Sequence, residues 1–354
     1  MAKERNINLD IIRCLAVFLV ICAHFLFNTT FYQTEIMSKR MIFMTGIRTV
    51  LMCCVPLFLM LTGYLMCKKR EISISYYKGI CHTLGIYVLA SLGCILYKYI
   101  FWKQEADLAY CVKEILGFTA NGYAWYIEMY IGLFLLIPFL NILYHAIPEK
   151  TGKHMLIGTL LLVTVVPTAF NVFGAKILPE WWGGLWPVVY YYIGCYIKEY
   201  PPEISWKRNL VYICLAFILT IGFNIYRNYG RIYEYGVYNE WWGWMTFLNA
   251  VLVFVFVKNL KTESLPALLK KIITKVSQLS LGIYLCSWMA DQYVYPIFNQ
   301  YVPEMDDKLN YYLPIVFIVF TIAFILAFII DKIYNLIEFT FRKIFNRRGG
   351  KVHA

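Results

Sequence analysis

Charge is what this sequence has least of. Only 15% of its 354 residues are Asp, Glu, Lys or Arg, while 60% are hydrophobic. No water-soluble core needs that much apolar sequence, and the uncharged runs are long enough to cross a bilayer. A soluble globular domain is thereby excluded. The short alternating segments of a membrane barrel are missing as well, which leaves an all-α integral membrane protein. The eleven cysteines show neither CxxC nor Cys/His metal spacing. Most of them, Cys14, Cys22, Cys53, Cys54, Cys94, Cys214 and Cys286 among them, fall in hydrophobic runs and read as buried reduced thiols, with no metal expected. No linker or low-complexity stretch divides the chain, and no loop is long enough to fold alone, so residues 1–354 read as one domain. A small-x-small exit is also absent after the first apolar run, which carries Arg13. That run is expected to stay as a membrane helix.

What is present is a series of apolar runs. They fall at 9–27, 47–67, 79–101, 125–146, 155–173, 184–200, 209–227, 242–260, 277–298 and 311–333, and predict a bundle of about ten transmembrane helices. With the N-terminus inside, roughly two thirds of the Lys and Arg side chains fall on inner segments, from Lys3 and Arg5 through Lys68, Lys69, Arg70 and Lys78 to the tail Arg342–Lys351. Both termini are then cytoplasmic. The formal charge of +12 follows from this topology, so no nucleic-acid partner is implied and membrane lipid is the expected surrounding. The outer connections 28–46, 102–124, 228–241 and 299–310 are rich in Tyr and Trp. Residues 105–118 have helical apolar spacing and read as a helix on the outer surface. Trp181-Trp182, Trp186 and Trp241-Trp242 read mainly as interfacial belt residues.

Ionisable side chains inside the runs are the functional candidates, because lipid does not tolerate them. Arg13 and His24 sit in the first run, eleven residues apart. At ~100° and ~1.5 Å per residue they share one helix face, separated by roughly 16 Å. Asp10 lies one turn before Arg13. Glu128 falls at the outer end of the fourth run and Asp291 toward the outer end of the ninth. Arg48 opens the second run and His82 lies near the inner end of the third. Singly, Arg13 could snorkel to the headgroups and His24 could bond a carbonyl. Together, His24, Glu128 and Asp291 at one depth offer an imidazole beside a carboxylate, the arrangement of a general base.

Several landmarks in order resemble the membrane-bound acyltransferases called acyltransferase family 3. They are Asp10-Ile-Ile-Arg13 with His24, Pro56 through Thr62-Gly63-Tyr64, Trp125-Tyr126-Ile-Glu128-Met-Tyr130 with Pro138, Tyr192-Ile-Gly194-Cys-Tyr196 and Leu281-Gly282-Ile283-Tyr284-Leu285. The resemblance implies one membrane acyltransferase domain in a bacterial inner or plasma membrane. It would move an acyl group, usually acetyl, from acetyl-CoA or another acyl-CoA as co-substrate to a hydroxyl of a carbohydrate or cell-envelope acceptor. His24 would be catalytic, Arg13 essential and Glu128 a partner of His24 or of the acceptor. Asp10, Trp125, Tyr126, Asp291, Ser287, Lys78 and His82 are the expected substrate-binding set. Two positions depart from the family pattern. Lys78-Gly79-Ile-Cys-His82 stands where many members have Arg-x-x-Arg, and Ser287 stands where a histidine often follows. On the residues alone a saccharide transporter or flippase, and a non-catalytic small-ligand-binding protein, stay open. Against the transporter, no inverted repeat or matched pair of broken helices is visible.

Overall fold

A backbone in hydrocarbon has no water to bond, so each apolar run must close its hydrogen bonds within itself. The computed structural model, which describes residues 5–173 and 175–349, is accordingly helical, and its only strand-like pairing among the described residues is two isolated bridges. The helices are α1 (Ile7–Phe27), α2 (Lys39–Leu51), α3 (Cys54–Met66), α4 (Ile74–Lys78), α5 (Cys81–Trp102), α6 (Leu108–Leu116), α7 (Trp125–Ala146) and α8 (Lys150–Val163). They continue with α9 (Pro167–Phe170), α10 (Trp186–Glu199), α11 (Trp206–Asn228), α12 (Trp244–Lys258), α13 (Ala267–Tyr301), α14 (Met305–Lys308) and α15 (Tyr312–Gly349). Polar caps mark several starts: the side chains of Asn6, Ser38, Ser73, Asp107 and Ser205 each accept a backbone N–H two or three residues on.

All ten expected runs fall mainly on helix, and among the described residues seven helical stretches are long and apolar enough to cross a membrane. The other three runs lie on α10 and α12, of 14 and 15 residues, and within the 35-residue α13. The second run differs most from expectation. Its helix starts at Lys39, behind the Ser38 cap, breaks at Met52–Cys53 and resumes as α3. Arg48, expected at the opening of a helix, therefore lies ten residues inside one and is buried. The surface helix appears as α6, with no buried residue and with Leu108, Val112 and Leu116 exposed along one face. It is tied to α5 by the Tyr87 hydroxyl, which donates to the Ile115 carbonyl (2.7 Å). Lys3 and Lys351 of the terminal basic clusters lie outside the described residues, as do the side chains of Arg347 and Arg348.

α1 is the axis, packing against α2, α3, α12, α13 and α15. Outer faces such as Leu135, Leu136, Phe139 and Leu143 on α7, or Leu215, Ile218 and Leu219 on α11, present apolar side chains outward. In lipid that leaves no hydrophobic force between helices, so close packing and small residues must hold them. α3 and α10 show this most plainly. A Cβ on Gly63 would lie 1.9 Å from the Tyr191 carbonyl oxygen, and one on Gly194 would lie 2.0 Å from that of Met60. The Thr-Gly-Tyr and Tyr-Ile-Gly landmarks are thus the two sides of one backbone contact.

Gly63→Ala must force α3 and α10 apart, an overpacking cost of about 1–3 kcal/mol or more. We expect it to lower the thermal transition of the detergent-purified protein by several degrees or to abolish its accumulation in membranes. Gly132→Ala on α7, with nothing within 4 Å of the new Cβ, should leave the transition unchanged or slightly raised. Equal behaviour of the two variants would refute the close-packing account.

Candidate active site

The face of α1 that carries both Arg13 and His24 borders a cavity of about 520 Å³. Thr62, Thr83, Tyr130, Ser280, Phe27, Met52, Tyr123, Trp125 and Trp241 share its wall with Arg13 and His24. Tyr126 and Tyr284 also line it. The eleven-residue spacing puts the two ionisable side chains roughly 16 Å apart along the helix. No carboxylate belongs to the described lining.

At the histidine, Nδ1 lies 3.3 Å from Asp291 Oδ2 and 3.3 Å from Ser287 Oγ. The two acceptors come from successive turns of α13, since residues four apart share a face. Ser287 spends its one proton on the Tyr284 carbonyl (2.8 Å), so toward His24 it can only accept. An ionised Asp291 is likewise acceptor-only. Both neighbours therefore require a proton on Nδ1, and in the neutral ring Nε2 is left with a lone pair. Tyr123 completes the pocket. Its ring stacks on the imidazole with centroids 3.7 Å apart, and its hydroxyl donates to Asp291 Oδ2 at 2.6 Å. Asn28 Nδ2 donates both to the Tyr123 hydroxyl (3.0 Å) and to the His24 carbonyl (2.8 Å). Tyr284 donates its hydroxyl to the Tyr123 carbonyl, and Asn121 bonds the Leu285 carbonyl (2.8 Å), so the turn before α7 is fastened to α13.

At the other end, Arg13 Nη1 donates to Ser277 Oγ (3.0 Å), and Ser277 donates to Asp10 Oδ1 (2.6 Å). Asp10 is held bidentately by Arg5 at 2.6 and 2.8 Å, and its own approach to Arg13 is only 4.0 Å.

The remaining expected residues divide by position. Trp125 and Tyr126 line the cavity. Asp291 and Ser287, expected to meet substrate, lie behind the imidazole, fully buried and outside the lining. Glu128 does not pair with His24. It is exposed and outside the lining, and Asp291 has the place expected for it. The cause is rotation about the axis: from Tyr126, which lines the cavity, two residues turn the helix by about 200°. Lys78 and His82 are also exposed and outside the lining, and the His82 ring packs edge-on against Tyr334 (4.8 Å).

Sequence reasoning missed Tyr123 and Trp241, both on connections where periodicity says nothing. Trp241, read as a belt residue, stacks on Trp125 with centroids 4.5 Å apart. It is carried there by Arg48, whose Nη1 donates to the Asn239 carbonyl (2.9 Å) and whose Nη2 lies 3.7 Å from Glu240 Oε1. The guanidinium sits 4.4 Å over the Tyr233 ring. Burial raises the Glu240 carboxyl above its ordinary range, and Arg48 opposes that shift. No group of His, Cys, Asp and Glu suited to a metal occurs among the described residues.

Compared with known proteins, residues 6–332 match a family model described as an acyltransferase domain. No curated protein and no solved structure matches the chain.

Tyr123→Phe keeps the stacked ring but removes a donor from a carboxylate sealed in the bundle, a loss of about 1–3 kcal/mol. A thermal transition several degrees below that of the parent is expected in detergent. An unchanged transition would mean that the Tyr123–Asp291 bond does not support the site.

Proposed function

The chain belongs to acyltransferase family 3, a family of membrane acyltransferases, and from that premise we propose that it is an O-acyltransferase acting across a bacterial plasma membrane. The donor is acetyl-CoA or a related acyl-CoA on the cytoplasmic side. The acceptor is a hydroxyl of a carbohydrate or other envelope molecule on the far side. The bundle has about ten spans with both termini in the cytoplasm, which puts Arg13 at the donor end of the cavity and His24 at the acceptor end. The observation that carries this reading is the continuity of one cavity between those two side chains.

In the proposed reaction the acyl thioester enters from the Arg13 end and extends toward His24. His24 Nε2 takes the proton of the acceptor hydroxyl as its oxygen attacks the thioester carbonyl carbon. The C–S bond then breaks, and the imidazolium returns the proton to the departing thiolate. Asp291 and Ser287 keep the ring in the tautomer that this transfer needs, and the Asp291 carboxylate steadies the imidazolium while it exists. The aromatic walls formed by Trp125, Trp241 and Tyr126 suit the apolar face of a sugar ring. They also keep water from competing as acceptor. The absence of a carboxylate from the described lining disfavours an acceptor whose inserted part is cationic.

The test is acyl transfer from radiolabelled acetyl-CoA to host envelope material by membranes carrying each variant. His24→Ala should fall to background. Asp291→Asn should lower kcat by about a thousandfold or more, since an amide no longer enforces the tautomer. Glu128→Gln, altered on a surface away from the cavity, should stay close to the parent. Equal labelling by the parent and His24→Ala would remove histidine from the chemistry. Saccharide movement by both, without acyl transfer by either, would make the protein a transporter.

A further inference from the structure

Arg13 is the one cation in the described wall of the cavity apart from His24, yet a carboxylate, Asp10, lies one turn away on the same helix. Left to itself, that carboxylate would neutralise it. The geometry points to Arg5 as the positioning residue that prevents this, holding Asp10 so that Arg13 keeps an uncompensated positive charge for an anionic, phosphate-bearing donor. This rests on the acyl-CoA reading above.

The distances favour Arg5 in the competition for Asp10. Arg5 Nε and Nη2 reach the two carboxylate oxygens at 2.6 and 2.8 Å, the bidentate pairing that a guanidinium makes best. Ser277 donates to Oδ1 as a third partner (2.6 Å) and presents its oxygen to Arg13 Nη1 (3.0 Å). Arg13 thus meets Asp10 through a hydroxyl, with a direct separation of 4.0 Å. Among the described residues no hydrogen bond is made by Arg13 Nε or Nη2, which leaves those donors free. Two guanidiniums and one carboxylate sum to one positive charge, and of the three groups only Arg13 faces the cavity. Arg5 does not reach its place by chance. Asn6 caps α1 through Asn8 N (3.0 Å), and Asn8 Nδ2 donates to the carbonyls of Lys258 and Leu260 at 2.8 Å each. The segment bearing Arg5 is pinned to the turn after α12. With Lys78 and His82 outside the lining, the demand for a donor-binding cation falls on Arg13.

The experiment measures coenzyme A binding to the purified full chain by titration calorimetry, together with donor KM and kcat. Arg5→Ala releases Asp10 to Arg13, and should weaken coenzyme A binding and raise donor KM by about tenfold or more, the worth of a charge-assisted contact, with kcat little changed. Arg5→Lys, a point charge without the fork, should fall between. Adding Asp10→Asn to Arg5→Ala removes the competing carboxylate and should bring binding and KM back toward the parent. A purely structural role for Arg5 would instead lower kcat and the thermal transition together and would not be relieved by the second change. Unaltered binding in Arg5→Ala, or a defect that Asp10→Asn leaves in place, overturns the inference. If the parent binds coenzyme A, and the variants rank as expected, but no acyl transfer occurs, the transferase reading fails and the inference about Arg5 stands.

Discussion

A carboxylate sealed inside an apolar bundle needs donors, and Asp291 obtains two: His24 Nδ1 at 3.3 Å and the Tyr123 hydroxyl at 2.6 Å. Much of the neighbouring structure serves those contacts. Tyr123 is on a turn, so it must be fixed from elsewhere: Asn28, just after α1, bonds its hydroxyl, and α13 holds the turn through Tyr284 and through the Leu285 carbonyl that Asn121 bonds. Asp291 comes from α13 and His24 from α1, so the pair also sets how those two helices register against each other. An unpaired charge at such a depth would be costly enough to disfavour other packings, which makes the dyad a device of specificity whatever chemistry it carries.

Around that dyad the cavity separates two kinds of recognition. One end holds a guanidinium, the other an imidazole among aromatic rings, and the wall between them has no negative side chain among the described residues. A donor with a charged head and a long neutral arm fits such a gradient in one direction only. In the proposed reaction the head of the donor would stay with Arg13 while the reactive group travels, so that a cytoplasmic thioester and an acceptor on the far side would meet without either crossing the membrane. Arg48 contributes at a distance: as a buried cation bound to the Asn239 carbonyl and Glu240, it holds the loop whose Trp241 stacks on Trp125 in the cavity wall.

How far this was legible from sequence depended on what kind of position was at issue. All ten apolar runs proved helical, because burial in lipid imposes length and composition on each run separately. The Arg13–His24 stripe was readable because both residues lie on one helix, where spacing fixes angle as well as height. Between helices only height is readable. Glu128, His24 and Asp291 were assigned one depth, and the structure brings His24 and Asp291 together, but nothing in the sequence said that α13 turns Asp291 in while Glu128 on α7 stays exposed. Arg48 was misplaced because the cap at Ser38 starts its helix eight residues before the apolar run begins. Tyr123 and Trp241 lie on connections, whose paths are set by tertiary bonds that no periodicity encodes. Gly63 and Gly194 were visible as landmarks, although their meaning as one backbone contact between α3 and α10 was not.

The two departures from the family pattern acquire physical content in this setting. A histidine at position 287 would bring a second imidazole to His24, and two rings sharing one proton can exchange tautomers. Serine has a single proton, and here it is committed to the Tyr284 carbonyl, so Ser287 can only accept. Together with Asp291 it leaves His24 one arrangement. The lysine and histidine that replace the arginine pair have moved the other way: both are exposed and take no part in the cavity wall. The first departure therefore fixes the His24 end of the cavity, while the second leaves Arg13 as the cation at the other. On the proposed reading, a site with a single cation cannot let that cation be neutralised by its own helix, and this requirement would give Arg5, outside the cavity and half exposed, its place in the chemistry.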